Sequence, residues 1–197
     1  MTAEEAREKI VDAADRLYYA KGYAAVGMDE LRRESGVSLR RLYATFPSKD
    51  DIVLAVLARK HEQWERGITE RVEGEPDPRA RLLAIYDYLA DWFCADDFRG
   101  CAFINAFGEL GTTHPAVADA VRTHKASFER FVARLAADAG APAALAGQLV
   151  ILAEGAQTTA AISGDPAVAA RARTAAETLV DAALGMPAVS GDAASHR

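Results

Sequence analysis

Arg40, Arg41, Tyr43 and Lys49 are the side chains in this sequence best suited to reading a polyanion, and they fall within ten residues of one another. A guanidinium is a planar fork of donors that meets the O6/N7 edge of guanine, or two phosphate oxygens, in pairs. A phenol hydroxyl and an ammonium suit single phosphate oxygens. Ser38 and Thr45 add hydroxyls on either side, and Leu39 offers an apolar tip for a thymine methyl. Base contacts specify sequence while phosphate contacts hold register, and this stretch carries residue types for both.

The elements that position these groups are legible around them. Asp29–Ser35 reads as a short helix, Gly36-Val37-Ser38 as a tight turn, and Leu39–Thr45 as a second short helix. Glycine suits a turn that needs positive φ, and the Ser38 hydroxyl can accept from the free N–H groups that open the following helix. A helix of this length fits the major groove with its first residues against base edges. Leu31, Val37, Leu42 and Phe46 form the apolar stripe of the pair. Upstream, Ile10, Ala13, Ala14, Leu17 and Tyr18 recur at three- and four-residue intervals, one face of an amphipathic helix over Glu4–Lys21 that Gly22-Tyr23 ends. Arg32 and Arg33 are further candidates, divided between phosphate contact and exposed charge.

The turn Gly36-Val37-Ser38, then Leu42-Tyr43, Phe46, Ser48-Lys49 and the acidic pair Asp50-Asp51, preceded by Ala20-Lys21-Gly22-Tyr23, resembles the DNA-binding head of the TetR family of bacterial transcriptional regulators over roughly residues 5–57. The resemblance assigns phosphate contacts to Tyr43 and Lys49. It implies an all-α protein with an N-terminal three-helix head at 1–47 and a helical effector-binding and dimerisation body at 48–185. A homodimeric repressor that binds a double-stranded DNA operator is its usual form. Val26 and Gly27 stand where that family usually places Thr or Ser, and Arg32 and Ser35 replace usual alanines. These departures bear on the phosphate contacts of the second helix.

Beyond the head, Ser48 opens a long helix running to about Val72, broken by Gly74-Glu75-Pro76-Asp77-Pro78. Apolar periodicity then predicts helices over Arg79–Ala95, Cys101–Leu110 and Pro115–Asp138, and a final helical hairpin, Pro142–Ile162 with Pro166–Leu184. One face of the hairpin's first helix carries Leu145, Leu149, Leu152, Ala156 and Ala160. The second carries Ala172, Ala175, Ala176, Leu179, Val180 and Ala183. Such faces serve an intrachain core, a dimer seam, or both; the resemblance implies dimerisation through these last two helices. Residues 186–197 are small and polar and are expected to be a disordered tail.

Large apolar groups with a few polar ones among them mark the middle helices: Trp92, Phe93, Phe103, Asn105, Phe107, His124, Phe128 and, later, Gln157. A mostly apolar cavity with a few placed polar groups suits a small lipophilic or aromatic molecule. TetR-like proteins hold an effector within the body, and Gly100-Cys101-Ala102-Phe103-Ile104-Asn105-Ala106 resembles a segment found there. Aromatics at helical spacing also make ordinary core, so both readings stand for each of these residues.

Composition restricts the alternatives. The net charge of −6 is at odds with a polyanion partner until it is located: residues 1–50 hold nine basic and nine acidic side chains, so the acidic excess lies entirely downstream. Phosphate attraction depends on the local surface rather than the total. No run of ~18 uncharged apolar residues suggests a membrane span. The charged opening Glu4, Glu5, Arg7, Glu8, Lys9 lacks a signal core, and two cysteines make no disulfide framework, so a cytoplasmic protein is expected. The sequence contains no phosphate-cradling glycine loop, no HExxH and no GxSxG, so it reads as a non-enzyme without cofactor. His61, His114 and His124 with Cys94 or Cys101 match no strong metal spacing. A metal or redox sensor, or a helical protein-interaction module, is the alternative class.

Overall fold

The computed structural model describes residues 1–186, so the tail expected at 186–197 lies, beyond Met186, outside the described residues. Those residues form nine α-helices and no strand: α1 (Ala3–Lys21), α2 (Met28–Ser35), α3 (Leu39–Thr45), α4 (Lys49–Glu73), α5 (Pro78–Phe93), α6 (Ala102–Leu110), α7 (Pro115–Asp138), α8 (Ala144–Ser163) and α9 (Val168–Ala183). Packing divides the chain into two units, one of Met1–Thr69 with Ala95–Ser127 and one of Glu70–Cys94 with the chain from Phe128 on. Helices α4 and α7 contribute turns to both.

The first unit contains the three-helix head. Thr2 and Glu5 close a reciprocal cap at the start of α1, satisfying two N–H groups that a helix end otherwise leaves free. The buried face of α1 (Ile10, Ala13, Ala14, Tyr18) packs with Leu31, Val37, Leu42 and Phe46, each almost wholly inaccessible. Surface ion pairs Arg16–Glu34 at 3.1 Å and Lys21–Glu30 at 2.6 Å flank the α1–α2 seam. Exposed pairs of this kind stabilise by well under ~1 kcal/mol each; apolar burial holds the head together. Ser48 and Asp51 cap α4 reciprocally: the Asp51 carboxylate accepts from the Ser48 N–H at 2.9 Å, and the Ser48 hydroxyl accepts from the Asp51 N–H at 3.2 Å.

In the second unit α5 lies against α8 and α9. Asp77 caps α5, with Pro78 at its first position, where the missing N–H costs nothing. The buried Tyr86 hydroxyl donates to the Leu149 carbonyl at 2.8 Å, joining α5 to α8. Arg79 forks onto Asp181 at 2.6 and 3.0 Å and reaches Glu177 at 2.9 Å, joining α5 to α9. That guanidinium holds the Asp181 carboxyl below the usual carboxylate range.

The faces expected at the hairpin seam divide. Leu145, Leu149, Ala156, Ala160, Ala172, Ala176 and Val180 are buried within the chain itself. Half-buried Leu152, Leu179 and Ala183 and exposed Ala175 are left on the outside, beside Ile151, which was not among the expected residues and is 75% exposed. Both helices also start two residues later than expected, because Pro142 and Pro166 sit in single turns whose carbonyls accept from Leu145 and Ala169.

Candidate functional site

The turn between α2 and α3 is built as its residue types demand. Gly36 adopts φ +66°, a left-handed conformation open to glycine at little cost. The Ser35 hydroxyl donates to the Arg32 carbonyl at 3.3 Å and accepts from the Val37 N–H at 3.4 Å, so this departure from alanine serves the turn. Ser38 is the N-cap of α3, its hydroxyl accepting from the Arg41 N–H at 3.3 Å. Gly27, at the N-cap of α2, supplies no side-chain cap, so the hydroxyl expected there in the wider family has no replacement.

Helix α3 buries Leu42 and presents most of its other side chains to solvent. Leu39, Arg40 and Tyr43 are exposed, with Leu39 42% and Tyr43 47% accessible. Arg41 is half-buried, its guanidinium donating to the Met1 carbonyl at 3.4 Å. Thr45 is half-buried, its hydroxyl donating to the Arg41 carbonyl at 2.9 Å. The seven candidates therefore separate: Ser38, Leu39, Arg40 and Tyr43 are exposed, whereas Arg41, Thr45 and Lys49 are half-buried and donate to backbone carbonyls. Lys49 Nζ donates to the Ala24 carbonyl at 3.3 Å and lies 6.0 Å from the centre of the Tyr18 ring. Partial burial pulls its pKa below the usual lysine value, opposed by the charges of Glu109 and Asp50.

The candidate effector residues fall into two groups. In the first unit, Phe103 stacks face to face on the imidazole of His124, centroids 3.6 Å apart and planes 5° from parallel. Trp64 and His61 meet that imidazole edge-on, each with a centroid separation of 5.2 Å. The Asn105 amide donates to the Arg99 carbonyl at 3.2 Å, a structural duty, and Phe107 stays 46% exposed. In the second unit Phe93, Phe128 and Gln157 are buried, and Trp92 is half-buried against Phe93. That unit also bears an apolar groove of about 570 Å³ lined by Gln148, Ile151, Leu152, Ala175, Thr178 and Leu179. Among the described residues no three histidine, cysteine or acidic side chains converge as metal ligands, and no helix is long and apolar enough to cross a membrane. Cys94 is exposed and Cys101 buried, and neither is in a disulfide.

Sequence reasoning missed the contacts that α6 and the segment before it make with the end of α1. Tyr19 donates to the Gly100 carbonyl at 3.0 Å, Tyr23 to the Ala102 carbonyl at 3.2 Å, and the Glu109 carboxylate accepts from the Ala24 N–H at 2.8 Å. These pairs are about eighty residues apart in the chain, and no local pattern announces them.

The fold and the turn geometry find direct counterparts. Residues 10–56 match the family model for bacterial regulatory proteins of the tetR family, and residues 78–176 match the model for the tetracyclin repressor-like C-terminal domain. The chain belongs to the TetR family. A TetR-family transcriptional regulator from Streptomyces coelicolor superposes with a TM-score of 0.83 at 30% identity, covering 92% of this chain and 97% of that one. A second structure, a putative TetR regulator from Streptomyces avermitilis, gives 0.80 at 31% identity, over 92% and 99%. Among curated relatives, the transcriptional activator FasR of Mycolicibacterium smegmatis is 34% identical over 119 residues, 60% of this chain and 53% of FasR. The Escherichia coli repressor NemR is 27% identical over 111 residues, 55% of this chain and 56% of NemR. The chain thus spans about half the length of the curated relatives it matches. It carries a TetR-type helix-turn-helix, and its family is one of DNA-binding transcriptional regulators rather than enzymes.

Proposed function

We propose that the protein is a cytoplasmic homodimeric repressor whose two heads, functionally residues 1–47, occupy successive major grooves of a palindromic operator, and whose body, residues 48–185, lowers operator affinity on binding a small, mainly apolar effector. The single observation that carries this reading is the outer surface of α3, where Leu39, Arg40 and Tyr43 present an apolar tip, a fork of donors and a phenol side by side to solvent. Arg40 takes base edges, Leu39 a thymine methyl, and Tyr43 and Ser38 phosphate oxygens. Arg41 and Lys49 join once phosphates compete for them, and Thr45 supports the helix from behind.

One seven-residue helix meets too few base pairs for useful discrimination, so two heads about 34–36 Å apart are needed. The apolar groove beside Ile151 on α8 and α9 supports pairing through the last two helices, because a second copy would cover side chains that water otherwise meets. Repression requires only that the dimer occupy its site and exclude other proteins from it. The effector is assigned to the aromatic residues of the body, the Phe103–His124–Trp64 cluster in one unit or Trp92, Phe93, Phe128 and Gln157 in the other. An effector that prefers the non-binding state tenfold shifts the equilibrium by about 1.4 kcal/mol.

The test is the mass of the complex on a duplex selected from random DNA. Two chains per duplex, and a slope of log affinity against log salt of several units, support the reading. One chain per duplex, or binding indifferent to salt, overturns it.

A further inference from the structure

Both backbone polar groups of Ala24, in the loop between α1 and α2, are engaged by charged side chains from distant parts of the first unit. Glu109 of α6 accepts from its N–H at 2.8 Å, and Lys49 at the start of α4 donates to its carbonyl at 3.3 Å. The carboxylate reaches this N–H by passing beside Gly22, whose φ is +90°. The positive φ favours glycine there, and a Cβ would stand 3.0 Å from both carboxylate oxygens and press on the Glu109 side chain. The Tyr23 hydroxyl, donating to Ala102, fastens the neighbouring residue to the opposite end of α6. Where this loop ends, α2 begins without a side-chain cap at Gly27.

We propose that Glu109 is a positioning residue for DNA binding, holding the Ala24 peptide so that the α1–α2 loop, α2 and the Lys49 ammonium are presented together to the operator. Glu109 itself touches no DNA. It acts through the Ala24 N–H, which needs an acceptor oxygen and not a negative charge as such. The inference rests on the head reading DNA, while exchange of the Ala24 amide reports on the clamp independently of any DNA.

Full-length wild type, Glu109→Ala and Glu109→Gln are compared in two measurements: hydrogen exchange of the Ala24 amide, and affinity for the duplex the wild type selects from a random pool. Glu109→Ala should speed Ala24 exchange at least tenfold and weaken operator binding about tenfold, the scale of one charge-assisted hydrogen bond. Glu109→Gln keeps an oxygen in place and should return both to within about threefold of wild type. Unchanged operator affinity in Glu109→Ala overturns the proposal. So does equal impairment of the alanine and glutamine variants, which would make Glu109 a general stabiliser of the unit or a source of charge.

Discussion

His61 and His124 face each other Nδ1 to Nδ1 at 3.0 Å, a contact in which only one of the two nitrogens carries a proton. His124 is 4% exposed, stacked on Phe103 and edged by Trp64, while His61 is half-buried with its Nε2 3.4 Å from the Glu65 carboxylate. Burial, then the charges of Lys125 and His61, push the His124 pKa down to about 3. The unfolded chain has an ordinary imidazole there, near 6.5. Between those values the unfolded state binds the extra proton, so stability is full above about pH 6.5 and falls as pH drops toward 3. Moving from pH 7 to pH 5 should cost about 2 kcal/mol from this group. Urea unfolding of wild type and His124→Asn across that range checks it: the wild type's excess loss should vanish in the variant, and equal slopes contradict it.

Tyr18 is 2% exposed, and its hydroxyl has no hydrogen-bond partner among the described residues. Its ring stacks on Tyr23 at 5.1 Å, a contact that needs no hydroxyl. Tyr18→Phe should therefore raise the stability of the protein by about 1 kcal/mol, the lower end of the cost of burying an unpaired polar group. Chemical denaturation measures this directly, and a loss of comparable size contradicts it.

Gly36 has φ +66° and open space where a Cβ would sit, so any penalty for a side chain there is conformational rather than steric. Gly36→Ala should cost about 1–2 kcal/mol, or roughly 2–8 °C in Tm for a chain of this size. Gly36→Asn should cost less, because asparagine tolerates the left-handed region better. Equal Tm values for wild type and Gly36→Ala would show that the turn adopts another conformation.

Ile151 is 75% exposed beside Leu152 and Leu179. Ile151→Glu should leave the fold intact, since the side chain contributes little to the core, yet break pairing of the two copies by burying a charge at the seam. Sedimentation should show a monomer and operator affinity should fall at least about a hundredfold, the two half-sites no longer being bound as one unit. A dimer that persists in this variant moves the seam elsewhere.

Local punctuation made most of the helices legible in advance. Gly22, Gly36 and Gly164 all take positive φ at helix ends, and Ser38 and Asp77 accept from the next helix as N-caps should. Alanine-rich α8 was harder to read, since small residues recur around its whole circumference. Leu145 and Leu149 turned out to be intrachain core, while Ile151 and Ile162, both outside the expected stripe, are exposed. In the head, residue type and spacing picked out α3, but not the backbone contacts that Arg41, Thr45 and Lys49 make. Those contacts depend on the Met1 carbonyl, the helix's own backbone and the Ala24 carbonyl, acceptors that a side-chain pattern does not reveal. The Glu109–Ala24 contact was invisible for the same reason: one partner is a backbone N–H.

The most direct test is selection of bound duplexes from a random pool by wild type and by Arg40→Ala/Tyr43→Phe, both altered side chains being exposed and outside the core of the head. Wild type should enrich a palindrome with half-sites about one helical turn apart, and the variant should lose that enrichment while keeping the wild-type Tm. The same palindrome enriched by both proteins, or none enriched by the wild type at low salt, would contradict recognition through α3.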